Sequence, residues 1–174
     1  DALYWIGDQQ RTLAATLANR NEARAAVDKA VALQPGLAYG YLIRAMLRMD
    51  ESDVAGAGED LRHAMALEPE NAEVLMHYGG VALTPVGKLP EAIEVLRRAT
   101  RADPLNARVW GFLGTSLQFS GDLDGAIAAY NRSLEISPAQ TYAPVGLSTT
   151  LLLAGRPAEA LAASQRSTAE VFRL

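Results

Sequence analysis

Two histidines, His63 and His77, are the only imidazoles in this 174-residue chain, which contains no cysteine. A zinc site needs three or four His, Cys or carboxylate ligands at short spacing. Neither histidine has such neighbours, so no metal is expected, and thiol nucleophiles and disulfides are excluded with the cysteines. Gly87-Lys88 looks like the end of a phosphate-binding loop. That loop requires a glycine five residues before Gly87, where Ala82 stands, and Ser or Thr after the lysine, where Leu89 stands. No Gly-x-Ser-x-Gly nucleophile elbow occurs. The carboxylates Glu59, Asp60, Glu91, Glu94, Asp122 and Asp124 fall on helix faces or turns and are expected to be solvated, with Glu94 pairing with Arg98 one turn on. Neither catalysis nor a cofactor is therefore expected.

Charge narrows the partners. Sixteen Lys and Arg against twenty Asp and Glu leave a net charge of −4. The one basic cluster, Arg97, Arg98 and Arg101, is flanked by Glu91, Glu94 and Asp103. Phosphate binding by counterion release needs several uncompensated cations on one face, so nucleic acid is not an expected partner. The longest apolar stretch, Val145 to Ala154, is interrupted by Ser148, Thr149 and Thr150 and is too short to cross a bilayer. No membrane partner is expected. Cytoplasm is the default compartment, and a cysteine-free chain is also compatible with the periplasm.

A repeat must position whatever function remains. Pro35, Pro69, Pro104 and Pro138 close four similar segments at intervals of 34, 35 and 34 residues. Between the prolines, small residues recur at fixed slots: Ala45, Gly79 and Gly114 in a first helix, and Ala57, Ala92 and Ala126 in a second. Small residues at facing positions let two helices approach to roughly 8–10 Å, and larger side chains such as Trp110, Leu117 and Tyr130 fill the surrounding space. Asn71 and Asn106 suit helix N-caps, Gly121-Asp122 a left-handed stop followed by a cap, and Pro144 the first turn of a helix.

The period and these residues resemble the tetratricopeptide repeat, whose pattern runs Trp-x2-Leu-Gly-x2-Tyr, Ala-x3-Phe, Pro over 34 residues. Trp110, Leu113, Gly114, Leu117, Ala126, Tyr130 and Pro138 follow it best. The resemblance implies an all-α, right-handed superhelical solenoid of five helix–turn–helix repeats, at about residues 4–37, 38–71, 72–106, 107–140 and 141–174. The outer repeats are more worn, with Gln10 and Arg11 where Leu-Gly is expected and Pro144 in the tryptophan slot. The one extra residue is expected in the third turn, Thr84 to Pro90.

The resemblance also implies a concave face built from the first helices. Carried over slot by slot, it comprises Leu42, Ile43, Met46 and Met49, then Met76, His77, Gly80 and Leu83, then Phe112, Thr115, Gln118 and Phe119, then Val145, Gly146, Thr149, Leu152 and Leu153. Tyr39, Arg108 and Tyr142 begin helices on the same side. The expected partner-binding residues are Tyr39, Leu42, Ile43, Met46, Met76, His77, Arg108, Phe112, Phe119 and Tyr142. Family members that grip a free carboxylate use Lys and Asn in these slots, and those that read extended peptides use asparagine ladders; neither set is present. An apolar, Met- and Phe-bearing groove suits a partner peptide or helix with an apolar face.

Apolar residues at both ends, Tyr4, Trp5 and Ile6 and then Phe172 and Leu174 beyond a helix from Ala158 to Val171, suggest a piece excised from a longer protein, or self-association through the terminal repeats. Residues 103–110 and 170–174 are similar to repeat arrays of bacterial multidomain adenylate/guanylate cyclases and winged-helix transcriptional regulators. The alternative function is thus an in-cis regulatory domain of such a signalling protein.

Overall fold

A computed structural model describes the backbone of residues 2–138 and 142–171 and the side chains of residues 18–138 and 142–165. All regular structure among these residues is helical: α1 Ala2–Leu33, α2 Ala38–Asp50, α3 Val54–Leu67, α4 Ala72–His77 running into a π-helical turn Tyr78–Leu83, α5 Leu89–Ala102, α6 Ala107–Ser120, α7 Leu123–Ile136, α8 Ala143–Leu153 and α9 Pro157–Val171. The chain divides into two compact units, residues 1–67 and 68–174.

Four turns within repeats share one construction. The N–H groups of Asp53, Lys88, Asp122 and Arg156 donate to the carbonyls of Arg48, Leu83, Leu117 and Leu151 at 2.8, 3.1, 3.0 and 2.9 Å. This closure needs a left-handed residue just inside it. Ser52, Gly87, Gly121 and Gly155 supply it, with φ of 64, 77, 87 and 73°. One period earlier the slot holds Ala18, whose Cβ penalises the left-handed region. No turn forms there. Residues 2–33 make one continuous helix instead of the expected pair, so the first repeat departs from the helix–turn–helix plan.

The extra residue is also not where the sequence placed it. The Leu83–Lys88 closure matches its equivalents slot for slot, so the third turn is not longer. The insertion is absorbed upstream, where Thr84 N–H donates to the Gly79 carbonyl five residues back at 3.1 Å. A π turn of this kind holds one added residue within a helix. The Thr84 hydroxyl donates to the same carbonyl at 2.8 Å and hydrogen-bonds the Ser116 hydroxyl at 2.7 Å, tying the widened turn to α6.

The caps form as read. Asn71 Oδ1 accepts from the N–H groups of Glu73 and Val74, Asn106 Oδ1 from those of Arg108 and Val109, and Asp122 from Gly125. Pro144 lies in the first turn of α8. The pairing of Glu94 does not follow the expectation. Glu94 meets Arg101 at 3.6 Å, while Arg98 reaches out of its helix to Glu70 at 3.0 Å and the Pro69 carbonyl at 2.6 Å. Two contacts at once, one of them to a carbonyl, outcompete a single exposed i,i+4 pair worth a few tenths of a kcal/mol.

In the second unit the core is the expected one. A Cβ on Gly79 would meet Leu96 Cγ at 2.8 Å, and one on Gly114 would meet the Tyr130 ring at 2.9–3.0 Å, so only glycine permits these approaches. Leu96, Leu113, Leu117, Ala126, Tyr130, Leu147 and Leu151 bury around them. In the first unit, Ala45, Ala57, Leu61 and Ala64 are buried between α2 and α3. Asp60 is buried with them. Arg44 grips it through Nε and Nη2 at 2.9 and 2.6 Å, and Arg48 adds a third contact at 2.9 Å. Sequence reasoning placed Asp60 on a solvated face; the structure puts it inside. Arg44, Arg48 and Asp60 occupy the slots that Leu113, Leu117 and Ala129 fill two repeats later, so an ion-pair cluster replaces an apolar contact. His63 is exposed and stacks on Tyr41 with centroids 4.1 Å apart.

Candidate docking face

In the second unit, one face of α6 carries Arg108, Phe112, Thr115 and Phe119, spaced i, i+4, i+7 and i+11, so they line one stripe. One period on, the neighbouring stripe carries Tyr142 at the N-cap of α8, then Gly146, Thr149 and Leu153. Glycines set the spacing between helices. The half-buried Phe112 ring lies against Gly80, where a Cβ would collide with it, and the Tyr142 ring covers Gly111 in the same way. The two rings meet at 6.1 Å with their planes 43° apart. Tyr142 fixes its position by donating to the Arg108 carbonyl at 2.9 Å. Beneath them, Tyr130 enters from α7 between Gly114 and Gly146, its hydroxyl 2.9 Å from Thr115 Oγ1 and donating to Gln118 Oε1 at 3.2 Å.

Burial pushes the Tyr130 phenol up, partly offset by Thr115, and lifts Tyr142 to about 12 despite the nearby Arg108 cation. Both are neutral hydrogen-bonding rings at physiological pH. His77 is 5% exposed and hydrogen-bonds through Nδ1 to the Glu73 carbonyl at 2.8 Å. A carbonyl only accepts, so Nδ1 carries the proton and Nε2 is left as an acceptor. Desolvation, and secondarily Arg108, hold His77 below its usual value.

Acidification should therefore weaken the second unit. The folded state resists the proton that the unfolded chain accepts near pH 6.5, so the stabilisation is full above that value and is lost as pH falls below it. The thermal midpoint is expected to decline from pH 7 to pH 5, and less steeply in His77→Gln. Equal slopes in the two proteins would contradict this origin.

The expected contact residues separate into two groups. Arg108, Phe112 and Tyr142 come together, and Phe119 stands 64% exposed at the end of the α6 stripe. Met76 and Leu42 do not reach the surface, at 0 and 2% exposure. Their slot lies on the packing flank of the helix: Gly111, which shares it, is covered by Tyr142. They serve the core, and His77 offers only its ring edge. In the first unit Tyr39 and Met46 are exposed and Ile43 is half-buried. The seats Gly80 and Gly111 carried a sequence signal, a glycine 31 or 32 residues before an aromatic, one helical turn short of the repeat. Val145 at 66% and Leu161 at 61% are exposed where the equivalent Gly111 and Ile127 are buried, giving the described part of the last repeat an apolar flank. The side chains of Tyr4, Trp5 and Ile6, and residues Phe172 and Leu174, lie outside the described residues. Among the described residues no three His, Asp or Glu gather where a metal could sit, and no helix is long and apolar enough to cross a membrane.

Comparison with known proteins agrees with this architecture. Residues 86–141 match the family model described as tetratricopeptide repeat. The chain is similar to Protein FlbA of Caulobacter vibrioides, 34% identical over 115 residues, covering 65% of this chain and 19% of FlbA. The crystal structure of MamA superposes with a TM-score of 0.77 at 24% identity, over 97% of this chain and 95% of MamA. A chain of the APC/C hetero-tetramer Cut9–Hcn1 superposes at 0.78 and 23% identity, over 89% of this chain and 31% of that one. The shared turn closure, the Gly and Ala seats at intervals of 34 or 35 residues and the family model matched over residues 86–141 agree on an all-α helical-repeat fold built of tetratricopeptide repeats.

Proposed function

We propose that the chain docks a segment of a partner protein and has no chemistry of its own, with the α6–α8 face of the second unit as the docking surface. The observation that carries this reading is the run of apolar surface held open there: Phe112 and Tyr142 seated on glycines, with Phe119 and Leu153 exposed further along the same two stripes. Aromatic side chains already fixed by packing lose little entropy on binding, which is why such residues anchor interfaces. The fit is to the apolar side of an amphipathic helix or strand. The likeness to a chain solved within the Cut9–Hcn1 assembly is in keeping with a docking role. Because the chain matches only 19% of FlbA, a segment of a longer polypeptide, acting in cis, is the second candidate occupant.

The test is affinity capture with wild type and a Phe119→Glu, Leu153→Glu variant, both sites being exposed. Captured partners should be lost from the variant while its thermal midpoint stays unchanged. The same partners at the same yield would remove the face from consideration.

A further inference from the structure

We infer that the α6–α8 face recognises a partner peptide segment in which one acidic side chain sits beside large apolar ones, Arg108 receiving the carboxylate and His77 Nε2 accepting an N–H of the same segment. This rests on the docking reading above and adds the chemistry of the occupant. Arg108 is the only formally charged residue on either α6 or α8. It stands exposed in the first turn of α6, directly beside the Phe112–Tyr142 pair. Its backbone carbonyl is engaged by Tyr142, but its guanidinium makes no ion pair among the described residues. Of the other described arginines in the unit, Arg98, Arg101, Arg132 and Arg156 each find a carboxylate, and Arg97, on α5, lies away from this stripe. A lone cation on an otherwise apolar stripe complements a lone anion, and the adjoining rings lower its exposure to water once a partner covers them, strengthening the pairing.

His77 supplies the second polar contact. Its Nδ1 is committed to Glu73, and among the described residues no side-chain nitrogen or oxygen is both buried and unpartnered, so Nε2 keeps contact with solvent. His77 stands one turn before Gly80, as Arg108 stands one turn before the Phe112 that covers Gly80. An acceptor next to a fork of donors matches a peptide presenting an N–H alongside a carboxylate. The committed source of that carboxylate is an Asp or Glu side chain. A free C-terminus is the competing source.

The experiment selects displayed random 16-residue peptides with amidated C-termini against the full chain. It is run in parallel on wild type, Arg108→Glu, Arg108→Gln and Phe112→Glu. Wild type should enrich Asp or Glu adjacent to Leu, Ile or Phe. Arg108→Glu should replace the acid by Lys or Arg, and Arg108→Gln should lose the preference. A synthetic peptide from the wild-type pool should weaken about tenfold on Glu→Gln, as for a charge-assisted hydrogen bond. An apolar pool without acid preference, or an acid preference untouched in both Arg108 variants, overturns this inference and leaves the docking face standing. Binding recovered only when the peptides carry a free C-terminus assigns Arg108 to the other carboxylate and also overturns it. A Phe112→Glu pool identical to wild type, or no enrichment at all, overturns the docking face itself.

Discussion

Replacing Asp60 by alanine is expected to destabilise the first unit by about 3–5 kcal/mol, the range for removing one partner of a buried ionic cluster. The Asp60 side chain is 4% exposed, and the change would remove contacts of 2.6–2.9 Å from two guanidiniums, leaving Arg44 and Arg48 only longer carboxylate contacts, to Asp28 at 3.4 Å and Asp53 at 3.8 Å. Asp60→Asn keeps the shape and removes the charge, and should fall between wild type and alanine. The repeat supplies its own control. The triple variant Arg44→Leu, Arg48→Leu, Asp60→Ala installs the residues found at Leu113, Leu117 and Ala129 in the same slots. Because desolvating three charges offsets much of their attraction, that variant should be as stable as wild type or more so. Urea unfolding followed by amide exchange in α2 and α3 separates this unit from the other. A loss below about 1 kcal/mol in Asp60→Ala would mean that water reaches the cluster and solvates the arginines.

This cluster marks where the sequence stops being legible. Helical spacing places Arg44, Arg48 and Asp60 together but does not say whether they face water or a neighbouring helix, and acidic residues most often face water. Comparison between repeats carried the needed information, since the same slots elsewhere hold leucine and alanine. Backbone sterics were easier to read. Gly87, Gly121 and Gly155 at one slot announce left-handed turns, and asparagines two residues past Pro69 and Pro104 announce caps. Ser52 adopts the left-handed form with a side chain that does not advertise it, and Ala18 in the same slot forms no turn. The inserted residue fixed the length of the third repeat but not the place of the strain, which Gly79 and Thr84 take up in a π turn. The proposed docking face was legible as a set of slots. Burial then removed Leu42 and Met76 from it, a distinction of about one helical position that periodicity alone does not resolve.

Removing the Tyr130 side chain should produce a loss of similar size in the second unit, about 3–5 kcal/mol for truncation of a buried aromatic. The ring is 2% exposed and fills the space left by two glycines at once, Gly114 on α6 and Gly146 on α8. Its hydroxyl joins Thr115 and Gln118, so Tyr130→Phe isolates that contribution at about 1 kcal/mol. Gly114→Ala tests the seating directly. A methyl there would stand 2.9 Å from the ring, and a ring pinned by its hydroxyl and by Gly146 has no room to yield, so overpacking of about 1–3 kcal/mol is expected. On the Tyr130→Ala background the same methyl enters a cavity and gains the helix preference of alanine, roughly 1 kcal/mol over glycine. The two substitutions should therefore be strongly non-additive, and a denaturation cycle measures the coupling. Additive losses would mean that the ring tilts to admit the methyl, and that α6 and α8 are held at their distance by something other than the fit of Tyr130 between two glycines.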